Sequence, residues 1–186
     1  MGRIEQLAET FGRHIALPWQ RTVAGAQRVI VIVYDKELER MLLARKGEFE
    51  TAARKAGHEW HEVDLSGAFA EWMAAEEYRD AYFESPEDLQ MKLQSEFPEF
   101  AAGRIRAVLE GAGRSPNSVV GIFGAASLYG FTHVSQVLKL VEPAIQGRLI
   151  VFFPGTYDQH NYRLLDARDG WNYLAVPITQ HQTDSH

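Results

Sequence analysis

The chain has 186 residues, 46% of them hydrophobic and 24% charged, which suits one soluble globular domain with a single core. Its formal net charge of −6 argues against direct binding of nucleic acid, because affinity for phosphate backbones depends on Lys and Arg. The chain has no cysteine, which excludes disulfides, thiolate metal ligands and a cysteine nucleophile. No apolar run suits a signal peptide or a membrane span, so we expect a cytoplasmic protein that does not contact a membrane.

The first third of the chain alternates helix and strand patterns. An amphipathic helix is predicted over residues 3–16 by the spacing of Ile4, Leu7, Phe11 and Ile15. The apolar, β-branched run RVIVIVY (28–34) predicts a strand covered on both faces. Asp35 follows this strand and is expected to cap one helix that ends before Gly57. The alternating stretch WHEVDL (60–65) predicts a second strand.

Residues 66–112 are expected to form a helical insert. Its clearest signal is SPED (85–88), with Ser at the N-cap, Pro at the first helical position and acids in the first turn. Two further buried strands, SVVGIF (118–123) and RLIVFF (148–153), flank a helix that we expect Thr132 to cap. The Pro-Gly pair after the second of these strands predicts that the strand ends there.

This order of elements predicts an α/β fold, with a mostly parallel sheet and helices on both faces. We expect one domain over residues 1–178 and a flexible tail over 179–186. The sheet is analogous to P-loop or RecA-like cores, although the chain contains no Walker A sequence, G-x-x-x-x-G-K-[ST]. The stretch YRLLDARDGWNYLAVPI (162–178) predicts a C-terminal β-hairpin that turns at Asp169-Gly170.

Ligands of open α/β sheets bind beyond the carboxyl ends of the strands, where this chain places Asp35, Asp64 and GAASLYG (124–130). The two aspartates are either local caps or, on adjacent strand ends, Mg²⁺ ligands of a phosphoesterase or nuclease. Gly124–Gly130 is either a tight turn or a degenerate nucleotide-binding loop. No zinc spacing and no nucleophile elbow occurs. We therefore assign no catalytic, cofactor-binding or metal-binding residue.

The C-terminal stretch contains residue types that are common at protein interfaces. They are Arg163, Arg168, Trp171 and Tyr173, which either form the wall of the hairpin or a surface for a partner. Five basic residues of one predicted helix are instead interpreted as a solvated helix face, namely Arg40, Arg45, Lys46, Arg54 and Lys55.

The chain resembles the BrxB family of bacterial BREX phage-defence systems in an ordered set of stretches, LPWQR…AGAQRVIVIVYDKELER, SLYGFTHVSQVL and LIVFFPGTY…NYLAVPI. The resemblance covers residues 3–178. It implies a non-catalytic core component of an antiphage complex, without a cofactor. The implied partners are a PglZ-type, alkaline-phosphatase-like protein and a BrxC-type ATPase, which the chain would link as an adaptor. Whether it also forms a homo-oligomer is left open.

Overall fold

The computed structural model describes residues 2–20, 22–75, 84–129, 131–158, 161–164 and 171–179. Its strands are β1 (Val29–Tyr34), β2 (Glu59–Asp64), β3 (Ser118–Phe123), β4 (Arg148–Asp158), β5 (Asn161–Leu164), β6 (Trp171–Asn172) and β7 (Val176–Thr179). Its α-helices are α1 (Arg3–Ala16), α2 (Glu39–Ala44), α3 (Gly47–Lys55), α4 (Ala68–Ala75), α5 (Pro86–Ser95), α6 (Phe97–Glu110) and α7 (Val134–Val141).

Five strands form a parallel sheet in the order β2-β3-β4-β1-β7. The predicted α/β class is therefore confirmed. Strands β1 and β3 are buried at every residue, as their continuous apolar runs indicate. The alternating strand β2 lies at one edge, with Trp60 and Val63 buried and Glu59 and Asp64 exposed.

Helices cover both faces of the sheet. On one face, Phe49 of α3 packs against Phe11 of α1 and Phe152 of β4, with ring centroids 5.9 and 4.8 Å apart. The other face is covered by the predicted insert and α7, through residues such as Phe97 and Ile105. Aromatic rings buried in this way supply a large share of core stability.

A smaller antiparallel sheet continues from the end of β4. The prediction that β4 ends at the Pro-Gly pair is wrong, because the strand runs on to Asp158 and turns back as β5. The predicted hairpin is partly correct, since Tyr162 of β5 pairs with Trp171 of β6. The segment after β6 instead joins the parallel sheet as β7, next to β1. The predicted turn, Asp169-Gly170, lies outside the described residues.

Three further boundaries differ from the sequence predictions. The helix expected between Asp35 and Gly57 is a short 3₁₀ turn followed by α2 and α3, with the poor helix former Gly47 at the junction. Thr132 is not the cap of α7, because His133 holds the N-cap position. Residue 179, expected in the tail, belongs to β7, while residues 180–186 lie outside the described ranges.

Candidate functional site

The carboxyl end of the sheet does not bring the two candidate aspartates together. Asp64 ends β2 and Asp35 follows β1, and the strands β3 and β4 lie between them. Three strand spacings amount to about 14 Å, too far for two carboxylates to bind one metal ion. The metal-dependent phosphoesterase or nuclease expectation required adjacent strand ends, and the strand order contradicts that requirement.

Asp35 takes part in local structure and in an ion pair. Its backbone carbonyl accepts a hydrogen bond from the amide of Leu38 in the 3₁₀ turn, at 2.9 Å. Its carboxylate lies 3.6 Å from the guanidinium of Arg3. The Arg3 side chain is 64% exposed and the Asp35 side chain 41%, so solvent screens this pair and it contributes about 0–1 kcal/mol. Asp35 thus holds the predicted cap position of the turn, although its side chain makes no capping hydrogen bond.

Asp64 stabilises the turn that follows β2. Its Oδ1 accepts hydrogen bonds from the amide of Ser66 at 2.9 Å and from the Ser66 hydroxyl at 2.5 Å. The Ser66 hydroxyl lowers the pKa of this carboxyl most, and the charges of Lys46 and Arg104 lower it further. A carboxylate that already accepts two local hydrogen bonds stabilises a turn. Asp64 is therefore engaged locally, as its alternative interpretation predicted, but in a turn and not as the cap of the helix that begins at Ala68.

The loop that begins at Gly124 uses its polar groups within the chain. Gly124 has a φ of 76° and starts a 3₁₀ turn that ends at Leu128. The hydroxyl of Ser127 donates to the carbonyl oxygens of Leu65 and Gly124, at 2.9 and 2.6 Å. Because α7 begins only at Val134, no α-helix N-terminus follows β3 directly to bind a phosphate. The geometry matches the tight turn; Gly130 lies outside the described residues.

The interface candidates fall in different structural positions. Tyr173 is only 4% exposed and donates a hydrogen bond to Glu142, so it is a buried anchor of the C-terminal segment and not part of an exposed surface. Burial raises the pKa of its hydroxyl, and the Glu142 carboxylate raises it further. Arg163 and Trp171 lie on the paired strands β5 and β6. Arg168 lies outside the described part of the chain.

The predicted basic helix face is divided among ion pairs. Arg45 contacts Glu5 of α1, Lys46 lies 2.9 Å from Glu62, and Arg54 lies 3.1 Å from Glu50. Three of the five positive charges therefore have an acidic neighbour. This distribution agrees with the interpretation of a solvated helix face.

The opposite, amino end of the sheet holds a cluster that no sequence motif predicted. The ring of Trp19 stacks on His58, with centroids 3.8 Å apart, and the guanidinium of Arg148 lies 4.8 Å from the Trp19 centroid. Trp19 follows α1, His58 precedes β2 and Arg148 starts β4. A cavity of about 730 Å³ opens here, a size typical of small-ligand pockets.

Hydrogen bonds fix the imidazole of His58 in this cluster. Its Nε2 lies 2.9 Å from the carbonyl oxygen of Ile15, and its Nδ1 lies 2.6 Å from Oδ1 of Asn117. The amide nitrogen of Asn117 donates to the carbonyl of Gly57 at 2.8 Å, which turns Oδ1 toward the ring. Both ring nitrogens thus lie within hydrogen-bond distance of oxygen atoms, one on the end of α1 and one on the turn before β3.

Two guanidinium groups contribute positive charge to the same cavity. Arg28 donates to the carbonyl of Ile145 at 2.6 Å, and Arg148 donates to the carbonyl of its neighbour Gly147 at 3.0 Å. Burial lowers the pKa of Arg148, and the charge of Arg28 lowers it further. The charge of Arg148 also adds to the effect of burial in lowering the pKa of His14. The positive charge of Arg148 therefore also acts on His14 of α1.

No group of three or more His, Asp or Glu side chains within the described ranges is arranged to hold a metal ion. Among the helices in those ranges, none has both the length and the apolar composition needed to cross a membrane. Comparison of the chain with protein-family models, curated proteins and solved structures found no match.

Proposed function

We propose that this chain is a non-catalytic adaptor of a BREX antiphage complex, which links a PglZ-type phosphatase-like protein to a BrxC-type ATPase. The observation that carries the proposal is the ordered resemblance to the BrxB family over residues 3–178. The three stretches fall in separate parts of the fold: the first runs from the end of α1 through β1 to the start of α2, the second from the turn after β3 into α7, and the third from β4 to β7.

The chemistry of the carboxyl end of the sheet supports a binding role over catalysis. A catalytic group must reach a substrate with a proton, a lone pair or a metal ion. Here the Asp64 carboxylate and the Ser127 hydroxyl bond to groups of their own chain. The Asp64 and Ser127 side chains therefore stabilise turns, while the Asp35 carboxylate pairs with Arg3.

The antiparallel extension of β4, β5 and β6 is the surface that we assign to a partner. Residues 155–158 of β4 pair with β5 beyond the last parallel pair, Tyr34 with Pro154. The base of the extension is anchored, because Tyr162 is fully buried and packs on Phe153 with centroids 6.1 Å apart. A rigid base with Arg and Trp on its strands suits a binding hot spot.

The test is complex formation with both proposed partners. The full chain is co-expressed with the PglZ-type and BrxC-type proteins of the same defence system, and complexes are measured by pull-down and mass photometry. We expect binding to both proteins and a ternary complex. The absence of both contacts would overturn the adaptor proposal.

A charge-reversal pair tests the assigned surface. Arg163→Glu on β5 should weaken at least one of the two contacts and reduce phage restriction. The matched control is Arg114→Glu, which changes an exposed arginine in the turn before β3. If Arg163→Glu and Trp171→Ala both retain wild-type affinity for both partners, the extension is not the docking surface.

A further inference from the structure

We infer that the cavity at the amino end of the sheet binds a small molecule that carries a phosphoryl group. The cavity is distinct from the carboxyl-end positions where α/β proteins of this class usually bind ligands. The inference is independent of the adaptor role, because it rests on the residues that line the cavity.

The charge of the lining points to an anion. Arg28, Arg148 and His58 line the cavity, and no Asp or Glu is among the described residues that do so. The nearest acceptors of the Arg148 guanidinium are the neutral carbonyls of Gly147 and Gln20, at 3.0 and 3.5 Å. A carbonyl accepts a hydrogen bond without neutralising the charge, so the positive potential of the cavity is retained.

A second groove on the same protein has a similar size but a different set of charges. The groove between α1 and α3 has a similar volume of about 670 Å³ and also contains charged residues. There, however, Glu5, Glu9 and Glu48 lie beside Arg13 and Lys55. That groove therefore carries three acids and two bases, whereas the described lining of the amino-end cavity carries basic side chains and no acid.

The remaining lining residues suit a polar head group attached to a compact organic body. The amides of Asn117, Gln20 and Gln146 can donate or accept hydrogen bonds, while Pro18 and Pro116 provide apolar wall. Two neighbouring guanidinium groups match a phosphoryl group better than a single carboxylate, because a phosphate carries up to two charges and offers three oxygens. The net charge of −6 disfavours a long polyanion such as nucleic acid.

The experiment measures thermal stabilisation of the full chain in a phosphate-free buffer. The probes are inorganic phosphate, AMP, ADP and ATP, with citrate as a carboxylate of similar charge, each titrated to about 10 mM. At about ten times Kd, a ligand that binds only the folded state should raise Tm by about 3–6 °C. We expect a saturable rise with at least one phosphate compound and a smaller one with citrate.

A matched pair of substitutions locates the site. Gln146 is exposed on the rim of the cavity, so Gln146→Glu adds a negative charge there without disturbing the core. It should weaken binding about tenfold. Gln136→Glu adds the same charge to an exposed position on α7 outside the cavity lining and should leave binding unchanged.

A second variant tests the guanidinium directly. Arg148→Lys keeps the charge but loses the planar set of guanidinium N–H donors. It should weaken binding, and the loss should be larger if the guanidinium contacts more than one phosphate oxygen. Three results would each overturn the inference. They are no saturable response to any phosphate compound, an equal response in the two glutamine variants and the wild type, and a response to citrate as strong as the strongest phosphate response.

Discussion

Gly124→Ala should destabilise the fold strongly, because two independent costs meet at this residue. Its φ of 76° lies in the left-handed region, which costs a residue with a Cβ about 1–2 kcal/mol. The added Cβ would also lie 2.6 Å from the amide nitrogen of Ser66 and 2.9 Å from Oδ1 of Asp64. Those two groups form the turn after β2, and separating them would lose hydrogen bonds worth about 1 kcal/mol each. We expect a total loss of about 2–4 kcal/mol.

Two other glycines separate these costs. Gly57 has a φ of 86° but nothing within 4 Å of an added Cβ, so Gly57→Ala should show the conformational cost alone, about 1–2 kcal/mol. Gly103 lies inside α6, also with nothing within 4 Å, and Gly103→Ala should stabilise the protein by about 1 kcal/mol. The difference between Gly124→Ala and Gly57→Ala therefore measures the contact with the Asp64–Ser66 turn.

The assay is urea unfolding at equilibrium, followed by far-UV circular dichroism and tryptophan fluorescence, with linear extrapolation to water. Coincident curves from the two probes would justify a two-state treatment. If Gly124→Ala costs no more than Gly57→Ala, the close approach of the β2 and β3 loops is refuted. The assignment of Gly124–Gly130 to a tight turn would then lose its main support.

Three further predictions follow from burial and strand order. Phe49→Ala should cost about 3–5 kcal/mol in the same urea assay, because the ring is fully buried against two other phenylalanines. Burial raises the pKa of Tyr34 and Tyr173 above the unfolded value of about 10. Their contribution to the free energy of unfolding is therefore complete below about pH 10 and is lost as the pH rises above about 10. The loss amounts to up to about 1.4 kcal/mol per residue and pH unit. Replacing both with Phe should flatten the fall in unfolding free energy between about pH 10 and 11, and an unchanged slope would contradict their burial. The double variant Asp35→Asn, Asp64→Asn should leave phage restriction at the wild-type level. A loss of phage restriction in this variant would restore the metal-site hypothesis.

The strands that could be predicted from sequence are those whose burial is uniform. β3 lies where its apolar run predicted it, and β1 starts within one residue of its predicted bound, because a strand covered on both faces needs apolar residues at every position. β4 was predicted too short because Pro-Gly usually marks a turn. Pro154 lies at the last pair of the parallel ladder, where its missing N–H is least costly.

The order of the strands, in contrast, is not encoded in local patterns. Whether Asp35 and Asp64 are neighbours depends on β3 and β4 inserting between their strands, which no stretch of either strand indicates. The amino-end cluster was missed for a related reason. Trp19, His58 and Arg148 are far apart in the sequence and form no spaced motif. Only the packing of the end of α1 beside the starts of β2 and β4 brings them together.

The two proposed sites should act independently, although one strand connects them. β4 starts at Arg148 in the cavity and ends at Asp158, where the antiparallel extension begins. Its ten residue steps span about 33 Å, and its middle is fully buried in the parallel sheet. Because such a core is closely packed, the strand has no second arrangement through which one site could affect the other. Effects at separated sites without shared contacts usually add. Gln146→Glu should therefore leave partner affinity unchanged, and Arg163→Glu should leave the phosphate response unchanged. A change in partner affinity of more than about threefold with Gln146→Glu would instead show that β4 couples the two ends.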